Sequence, residues 1–150
     1  LRMPANPALT LREVEKDELL AVLPVGHPLA ELDAVTPKQL AKESFILLEK
    51  DEGADVPEAF RRSRVKLKPH ATLSDDRTIV SMVEKGLGVS ALHSLALART
   101  PYRVVTRPLK PRAFRTIGFA TKKKSAAPLS VQRFVHYLDC RDGGKPYSKE

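Results

Sequence analysis

Apolar residues occur along this chain in two patterns, as short continuous runs and as stretches spaced like one face of a helix. The short runs lie at 18–24 (ELLAVLP), 45–48 (FILL) and 89–92 (VSAL, which includes Ser90), and each is short enough to be typical of a buried strand. At 75–84 and 128–139, apolar side chains recur every three or four positions, which predicts helices. The chain therefore alternates predicted strands with predicted helices.

Further elements are predicted between these segments. Thr36 is placed to cap a short helix, with Pro37 in its first position and Gln39 completing a capping box. The remaining predictions are a helix from about residue 55 and strands at 65–73, 102–109 and 113–121. This order predicts an α/β domain with a largely parallel sheet, in which ligands bind at the carboxyl ends of the strands.

Residues 86–91 (GLGVSA) match the G-x-G-x-x-A pattern of dinucleotide-binding sites. That pattern binds a pyrophosphate only where it follows a strand and opens a helix. Here it follows a helix, whose N-terminus Asp75 or Asp76 can cap, and it precedes a strand. We therefore interpret Gly86 as the left-handed residue that ends the helix, and we expect no nucleotide site.

Composition sets the broad class of protein. The 150 residues suffice for one domain or two small lobes, and the net charge of +8 is dispersed, with clusters only at 61–64 and 122–124. We interpret both clusters as solvated surface, and the absence of Trp argues against a platform for single-stranded nucleic acid. The single cysteine, Cys140, cannot form an internal disulfide, which is typical of a reducing compartment.

The ends of the chain and its hydropathy also guide the interpretation. The chain begins at Leu1 without a signal-peptide pattern, so we expect it to be a fragment of a longer protein. No apolar run approaches the length that crosses a bilayer, so we predict no membrane partner. The four histidines lack metal-ligand spacing and no nucleophile motif is present, so we predict neither a metal site, a cofactor nor an enzyme.

Two loops are candidates for ligand contact because each follows a predicted strand and precedes a helix. One spans 49–53, beginning at Glu49, and the other spans 73–75, around Ser74. Backbone amides are free at a helix N-terminus, where the Ser74 hydroxyl would also lie. The alternatives are a capping or turn role for Ser74 and a solvated acid at Glu49. Their shared location at strand ends favours a pocket.

Five motifs in register carry a resemblance to a known family: AVLPxxHPLA at 21–30, VTxxxL at 35–40, FIL at 45–47, IVxxVxxGLGVS at 79–90 and FVxYL at 134–138. In order and spacing they resemble the effector-binding domain of LysR-type transcriptional regulators, from about residue 11 to residue 138. The resemblance implies an α/β, periplasmic-binding-protein-like (type II) fold. Two lobes are joined by crossing strands, and a small-molecule effector binds between them.

The family's winged helix-turn-helix and the first half of its first lobe have no counterpart in this sequence. The resemblance therefore implies a lead-in at 1–17, the second lobe at 18–87 and the return hinge with the rest of the first lobe at 88–140. We expect a disordered tail at 141–150. The incomplete lobe would expose a sheet edge and apolar surface, which favour self-association.

The resemblance also implies which residues form the site. The candidate effector-binding residues are Leu23, Pro24, Glu49, Lys50, Ser74 and Ser90. The implied hinge residues are Val22, Leu23, Val89 and Ser90. The family often has a small hydroxyl residue near the position that Leu23 occupies here, and Leu23 is apolar. Glu49 disfavours a purely anionic effector unless Lys50 faces inward.

The function implied is that of a cytoplasmic, homo-oligomeric regulator that reaches DNA only through its missing winged helix-turn-helix. One alternative is a free-standing solute-binding protein of the same fold, which predicts a secretory signal upstream. Another is an α/β enzyme with a dispersed active site, which predicts titratable groups clustered in a cleft.

Overall fold

The computed structural model describes residues 9–49, 55–98, 101–122 and 128–141. Within them lie the strands β1 (Leu9–Pro24), β2 (Ile46–Leu48), β3 (Ala71–Leu73), β4 (Ser90–His93) and β5 (Val104–Lys122). The helices are α1 (Pro37–Leu40), α2 (Asp55–Arg62), α3 (Asp76–Glu84), α4 (Ser94–Leu97) and α5 (Leu129–Arg141), and Pro28–Glu31 forms a 3₁₀ turn. The predicted alternation of strands and helices is confirmed. No helix among the described residues is long and apolar enough to span a membrane.

Two sheets are present in the described residues. One has the strand order β4–β1–β5, and the other pairs β2 with β3. The predicted parallel arrangement holds for β2 and β3, where Ile46 lies opposite Ala71 and Leu48 opposite Leu73. It is wrong for β1 and β4, which pair antiparallel with Val22 opposite Ser90.

The strands β1 and β5 are longer than predicted. β1 has 16 residues and includes the described part of the segment predicted as an extended lead-in. The strands predicted at 102–109 and 113–121 form the single 19-residue β5, so the loop predicted around Pro111 is wrong. Because β5 ends the order of its sheet, a proline that lacks an N–H can be accommodated there.

The strand predicted at 65–73 is wrong over most of its length, because the observed strand covers only Ala71–Leu73. Residues 65–69 have no regular secondary structure, and Arg64, just before them, has a left-handed φ of 55°. Val65 and Leu67 nevertheless pack against the core, which explains the alternating pattern without a ladder of hydrogen bonds. Alternation at this position reports burial on one side rather than strand pairing.

Contacts divide the chain into two units, Asp17–Arg115 and Leu1–Lys16 with Thr116–Glu150. The first is called the central unit here, and the second the terminal unit. β1 enters the central unit at Asp17, and β5 leaves it after Arg115. The lobe bounds implied by the resemblance stay a prediction.

The central unit has its core on both faces of β1. Leu19, Ala21 and Leu23 belong to one buried cluster, in which the rings of Phe45 and Phe60 meet edge to face with centroids 5.3 Å apart. Val22 belongs to a second cluster, with apolar residues of α3. Alternate strand residues point to opposite faces, so β1 is apolar at consecutive positions because both of its faces are covered.

The local helix signals are confirmed. The Oγ1 atom of Thr36 accepts a hydrogen bond from the Gln39 amide at 3.3 Å, and Oε1 of Gln39 accepts one from the Thr36 amide at 2.8 Å. Gly86 has a φ of +73° after the last turn of α3. Gly88 is required for a different reason, because a Cβ atom there would collide with the carbonyl oxygen of Ser44.

In the terminal unit, α5 confirms the helix predicted at 128–139. Leu129, Phe134 and Tyr137 are exposed on it by 62%, 60% and 62%. The tail predicted to be disordered spans 141–150. The prediction is wrong for Arg141, which is the last residue of α5, and 142–150 lie outside the described residues.

Candidate functional site

The two loops predicted to contact a ligand meet at one edge of the parallel sheet. The carboxyl ends of β2 and β3 lie side by side, and the Glu49 amide donates to the Leu73 carbonyl oxygen at 2.7 Å. Glu49 and Ser74 are both exposed there. Lys50, the third candidate of this group, lies outside the described residues.

Asp75, rather than Ser74, caps the helix that follows this edge. Its Oδ2 atom accepts hydrogen bonds from the amide of Thr78 at 2.7 Å and from the hydroxyl of Thr78 at 2.6 Å. These hydrogen bonds hold the pKa of Asp75 below its ordinary value. The helix N-terminus therefore already holds a carboxylate, while the Ser74 side chain faces solvent.

A groove of about 470 Å³ lies between the first turns of α3 and the short helix α4. Its lining residues are Asp76, Arg77, Val80, Leu95, Ala96, Ala98 and Pro101. This volume falls within the roughly 300–1,000 Å³ of small-ligand pockets. The groove begins two residues after Ser74, but neither Ser74 nor Glu49 lines it.

The candidate residues on β1 and β4 lie in the core. Leu23 and Ser90 are fully buried, whereas Pro24 is half-buried. The Ser90 hydroxyl donates to the Ile46 carbonyl oxygen at 2.7 Å, so its polar group is satisfied inside the protein. Val89 joins the same junction through its carbonyl oxygen, which accepts from the Ile46 amide at 2.8 Å. In this conformation the side chains of Leu23 and Ser90 are not accessible to a ligand.

β1 carries a buried ionic network that no sequence pattern predicted. Asp17 is fully buried, and its Oδ1 atom accepts from the Ser94 hydroxyl at 2.7 Å and from the Leu95 amide at 3.0 Å. Its Oδ2 atom accepts from Nε of Arg115 at 2.9 Å and lies 2.7 Å from Nη2. Burial raises the pKa of Asp17, but the hydrogen bonds from Leu95, Ser94 and Arg115 outweigh it and bring the pKa below its ordinary value.

A second ion pair joins the same two strands. Glu18 Oε1 lies 3.0 Å from Nε of Arg112, whose guanidinium carbon is 5.9 Å from the centroid of the Phe114 ring. Asp17 and Glu18 are consecutive on a strand, so their side chains point to opposite faces. Among the described residues, an ion pair therefore links β1 and β5 on each face of the sheet.

His93 ends β4 and occupies the N-cap position of α4. Its Nε2 atom lies 3.4 Å from Oδ2 of Asp55, the first residue of α2, and His93 is 7% exposed. Among the described residues, no group of three or more His, Cys, Asp and Glu side chains could hold a metal ion. The histidine therefore serves as a contact between two elements of the central unit.

Comparison with known proteins shows the family. A family model described as the LysR substrate binding domain matches residues 2–141. The chain belongs to this family. It is 32% identical over 126 residues to the HTH-type transcriptional regulator YvbU of Bacillus subtilis, covering 81% of this chain and 42% of that protein. It is also 32% identical to LrrA of Synechococcus elongatus, a probable HTH-type transcriptional regulator, covering 92% of this chain and 47% of that protein.

Solved structures show the same fold. The regulatory domain of CcmR from Synechocystis, in complex with 2-PG, matches with a TM-score of 0.78 and 21% identity over 97% of this chain and 73% of that chain. The effector-binding domain of QuiR, in complex with shikimate, matches with a TM-score of 0.75 and 20% identity over 94% of this chain and 68% of that chain. The expected α/β, type II periplasmic-binding-protein-like fold is confirmed.

The comparisons also separate the functional classes. The curated relatives named above are transcriptional regulators, and the family is a regulatory domain rather than an enzyme family. The predicted family is confirmed, and so is the prediction that the chain is not an enzyme. The chain spans less than half the length of these relatives, at 42% and 47%.

Proposed function

We propose that this chain is the effector-sensing part of a LysR-type transcriptional regulator. It binds a small molecule and transmits the binding to a DNA-binding region that lies outside these residues. The observation that carries the proposal is the family match over 2–141, which includes every strand and helix of the described structure. Binding changes the DNA affinity of the regulator only if the effector prefers one of its conformations.

The proposed contact surface is the carboxyl edge of β2 and β3. Ser74 supplies a hydroxyl that can donate and accept hydrogen bonds, and Glu49 supplies a carboxylate beside it. Their exposure, and the Glu49–Leu73 hydrogen bond that fixes the edge, support this surface. Parallel α/β sheets place ligands at this edge.

Charge at this edge favours an effector that is neutral or carries hydrogen-bond donors. Glu49 and Asp76 are acidic, and the Asp75 carboxylate already accepts the free amide of Thr78. A strongly anionic ligand would meet these carboxylates at close range, which is unfavourable in a partly desolvated site. Arg77, in the neighbouring groove, is the nearest described cation along the chain after Ser74.

The rest of the proposal concerns partners. The regulator acts in the cytoplasm as a homo-oligomer, and it contacts DNA through the helix-turn-helix of the region outside this chain. The helix-turn-helix regulators among its relatives support the DNA partner. Oligomerisation and cytoplasmic location follow from what the family resemblance implies.

The experiment is a thermal-shift screen of metabolites with two serine variants. Ser74→Ala removes the hydroxyl at the carboxyl edge, and Ser44→Ala removes an exposed hydroxyl just before β2, at the opposite edge of the same sheet. A ligand at 100 times its Kd adds about 2.7 kcal/mol of stability. For a chain of this size that raises Tm by about 5–10 °C.

We expect the wild type and Ser44→Ala to show this rise, and Ser74→Ala to show a much smaller one. Equal stabilisation of all three proteins would remove Ser74 from the site.

A further inference from the structure

The central unit carries a strip of basic residues that the proposed function does not use. Between Glu58 and Asp75 the sequence contains no acidic residue. The basic residues of this segment, called the basic strip here, are Arg61, Arg62, Arg64, Lys66, Lys68 and His70, and all of them are exposed. The arginine cluster interpreted above as solvated surface is one end of this longer feature.

Packing determines which side chains of the strip face solvent. Val65 and Leu67 are half-buried and contact the core cluster of the central unit. Arg64, Lys66 and Lys68 alternate with them and are exposed. The three cations therefore project from the same side of a segment that is anchored at every second residue.

The charge of the strip is only partly compensated. Glu58 accepts from Nε of Arg61 and from Nε of Arg62, both at 2.7 Å, and these hydrogen bonds from Arg62 and Arg61 lower the pKa of Glu58. Within the described residues, Arg64, Lys66 and Lys68 form no such ion pair. Three adjacent positive charges are thus exposed, and the ion pairs found in the described part of the chain do not compensate them.

We propose that the basic strip contacts the phosphate backbone of duplex DNA. Lysine and arginine side chains neutralise phosphates and release condensed counterions, which favours binding without sequence preference. The strip exposes no Phe, Tyr or Trp side chain, and a single imidazole, that of His70, is a poor stacking platform for successive unpaired bases. The cores of protein interfaces are enriched in Tyr, Trp, Phe and Met, none of which the strip exposes, and depleted in lysine, which supplies Lys66 and Lys68.

That DNA lies near this surface in the regulator rests on the proposed function. The test of DNA binding by the purified chain does not depend on that function. The strip would add a contact made by the effector-sensing part itself, in addition to the helix-turn-helix. A chain that binds DNA through the strip could still fail to bind any effector, and the reverse also holds. The two proposals therefore succeed or fail separately.

The test measures binding of the purified chain to fluorescent duplexes of two unrelated sequences by anisotropy, over a series of salt concentrations. The test variant is Lys66→Gln/Lys68→Gln. The control is Lys38→Gln/Lys42→Gln, which changes two exposed lysines of the α1 region and lowers the net charge equally, from +8 to +6. Circular dichroism checks that each variant is folded.

Each phosphate contact makes the slope of log K against log salt concentration more negative by about 0.9. We expect the test variant to lose about 1.8 from this slope and to bind both duplexes more weakly, while the control keeps the wild-type slope. Equal losses in the two variants would mean attraction by net charge alone and would overturn the proposal. A competition with poly-glutamate at the same salt concentration gives a second check. The proposal would also be overturned if poly-glutamate displaced the duplex from the wild type and did not bind to the test variant. The strip would then recognise acidic protein rather than DNA.

Discussion

Asp17 is the residue whose replacement tests the structure most directly. Its carboxylate is fully buried and holds three groups that come from α4 and from β5: the Ser94 hydroxyl, the Leu95 amide and the Arg115 guanidinium. Asp17→Asn keeps the shape and one acceptor oxygen, but its NH₂ group would face the Arg115 donors. Asp17→Ala removes all of these contacts.

The expected losses in the free energy of unfolding depend on how deeply Asp17 and Arg115 are each buried. The Arg115 side chain is 37% exposed and can turn to solvent, so Asp17→Asn should lose about 1.5–3 kcal/mol, the value of a hydrogen bond to a charged group. Asp17→Ala also leaves the Leu95 amide and the Ser94 hydroxyl without their acceptor. That variant should lose about 3–5 kcal/mol, as when one partner of a buried ion pair is removed.

Glu18→Gln is the matched control. Glu18 lies next to Asp17 and, like Asp17, pairs with an arginine of β5. The arginine that pairs with Glu18, Arg112, is 63% exposed. An exposed ion pair contributes about 0–1 kcal/mol, so Glu18→Gln should change the free energy of unfolding little. The assay is urea denaturation followed by circular dichroism, with the slope m compared between variants. If Asp17→Asn and Glu18→Gln lose the same small amount, the buried network does not stabilise the protein as argued.

The pKa of Asp17 gives this prediction a pH dependence. Its pKa in the folded protein lies below the ordinary value of 3.8, so the folded state favours the ionised carboxylate. The stabilisation by Asp17 is therefore fully present above that value and is lost as the pH falls through the lower pKa of the folded state. The stability difference between the wild type and Asp17→Asn should shrink over that acidic range, and a difference that grew there would contradict the sign.

Two further substitutions test local structure by the same denaturation assay. Gly88→Ala should lose about 2–3 kcal/mol, because its Cβ would collide with the Ser44 carbonyl oxygen. Gly86→Ala, where the Cβ would meet open space and only the positive φ is unfavourable, should lose about 1 kcal/mol, and the reverse order would contradict the packing around Gly88. Thr36→Ala should lose about 1 kcal/mol with the cap of α1, whereas Thr36→Ser should retain it.

Local features of the fold could be predicted from the sequence because their causes are local. The cap at Thr36, the left-handed Gly86 and the strand at 45–48 each depend on residues within a few positions of one another. The family resemblance supplied the fold itself, because motifs in a fixed order report a whole arrangement that no single segment determines.

Long-range features could not be predicted. Asp17 and Arg115 are 98 residues apart in sequence, and no local pattern marks an acid in an apolar strand as the partner of a distant arginine. The continuity of β5 through Pro111 and the irregular backbone at 65–70 depend in the same way on what packs beside them. An alternating pattern could distinguish the buried side from the exposed side of 65–70, but not whether a neighbouring strand was present to pair with it.

The candidate site divides into two groups once burial is known. Leu23 and Ser90 are fully buried, and the Ser90 hydroxyl is already satisfied by the Ile46 carbonyl oxygen. Ile46 begins β2, and Glu49 and Ser74 are exposed at the edge of the sheet where β2 ends. A ligand that contacts the edge would therefore act on β2, and β2 is hydrogen-bonded through Ile46 to Val89 and Ser90. On this arrangement the buried residues would respond to a ligand through β2 rather than touch it, because the Ser90 hydroxyl is inaccessible and its one donor is already used by the Ile46 carbonyl oxygen.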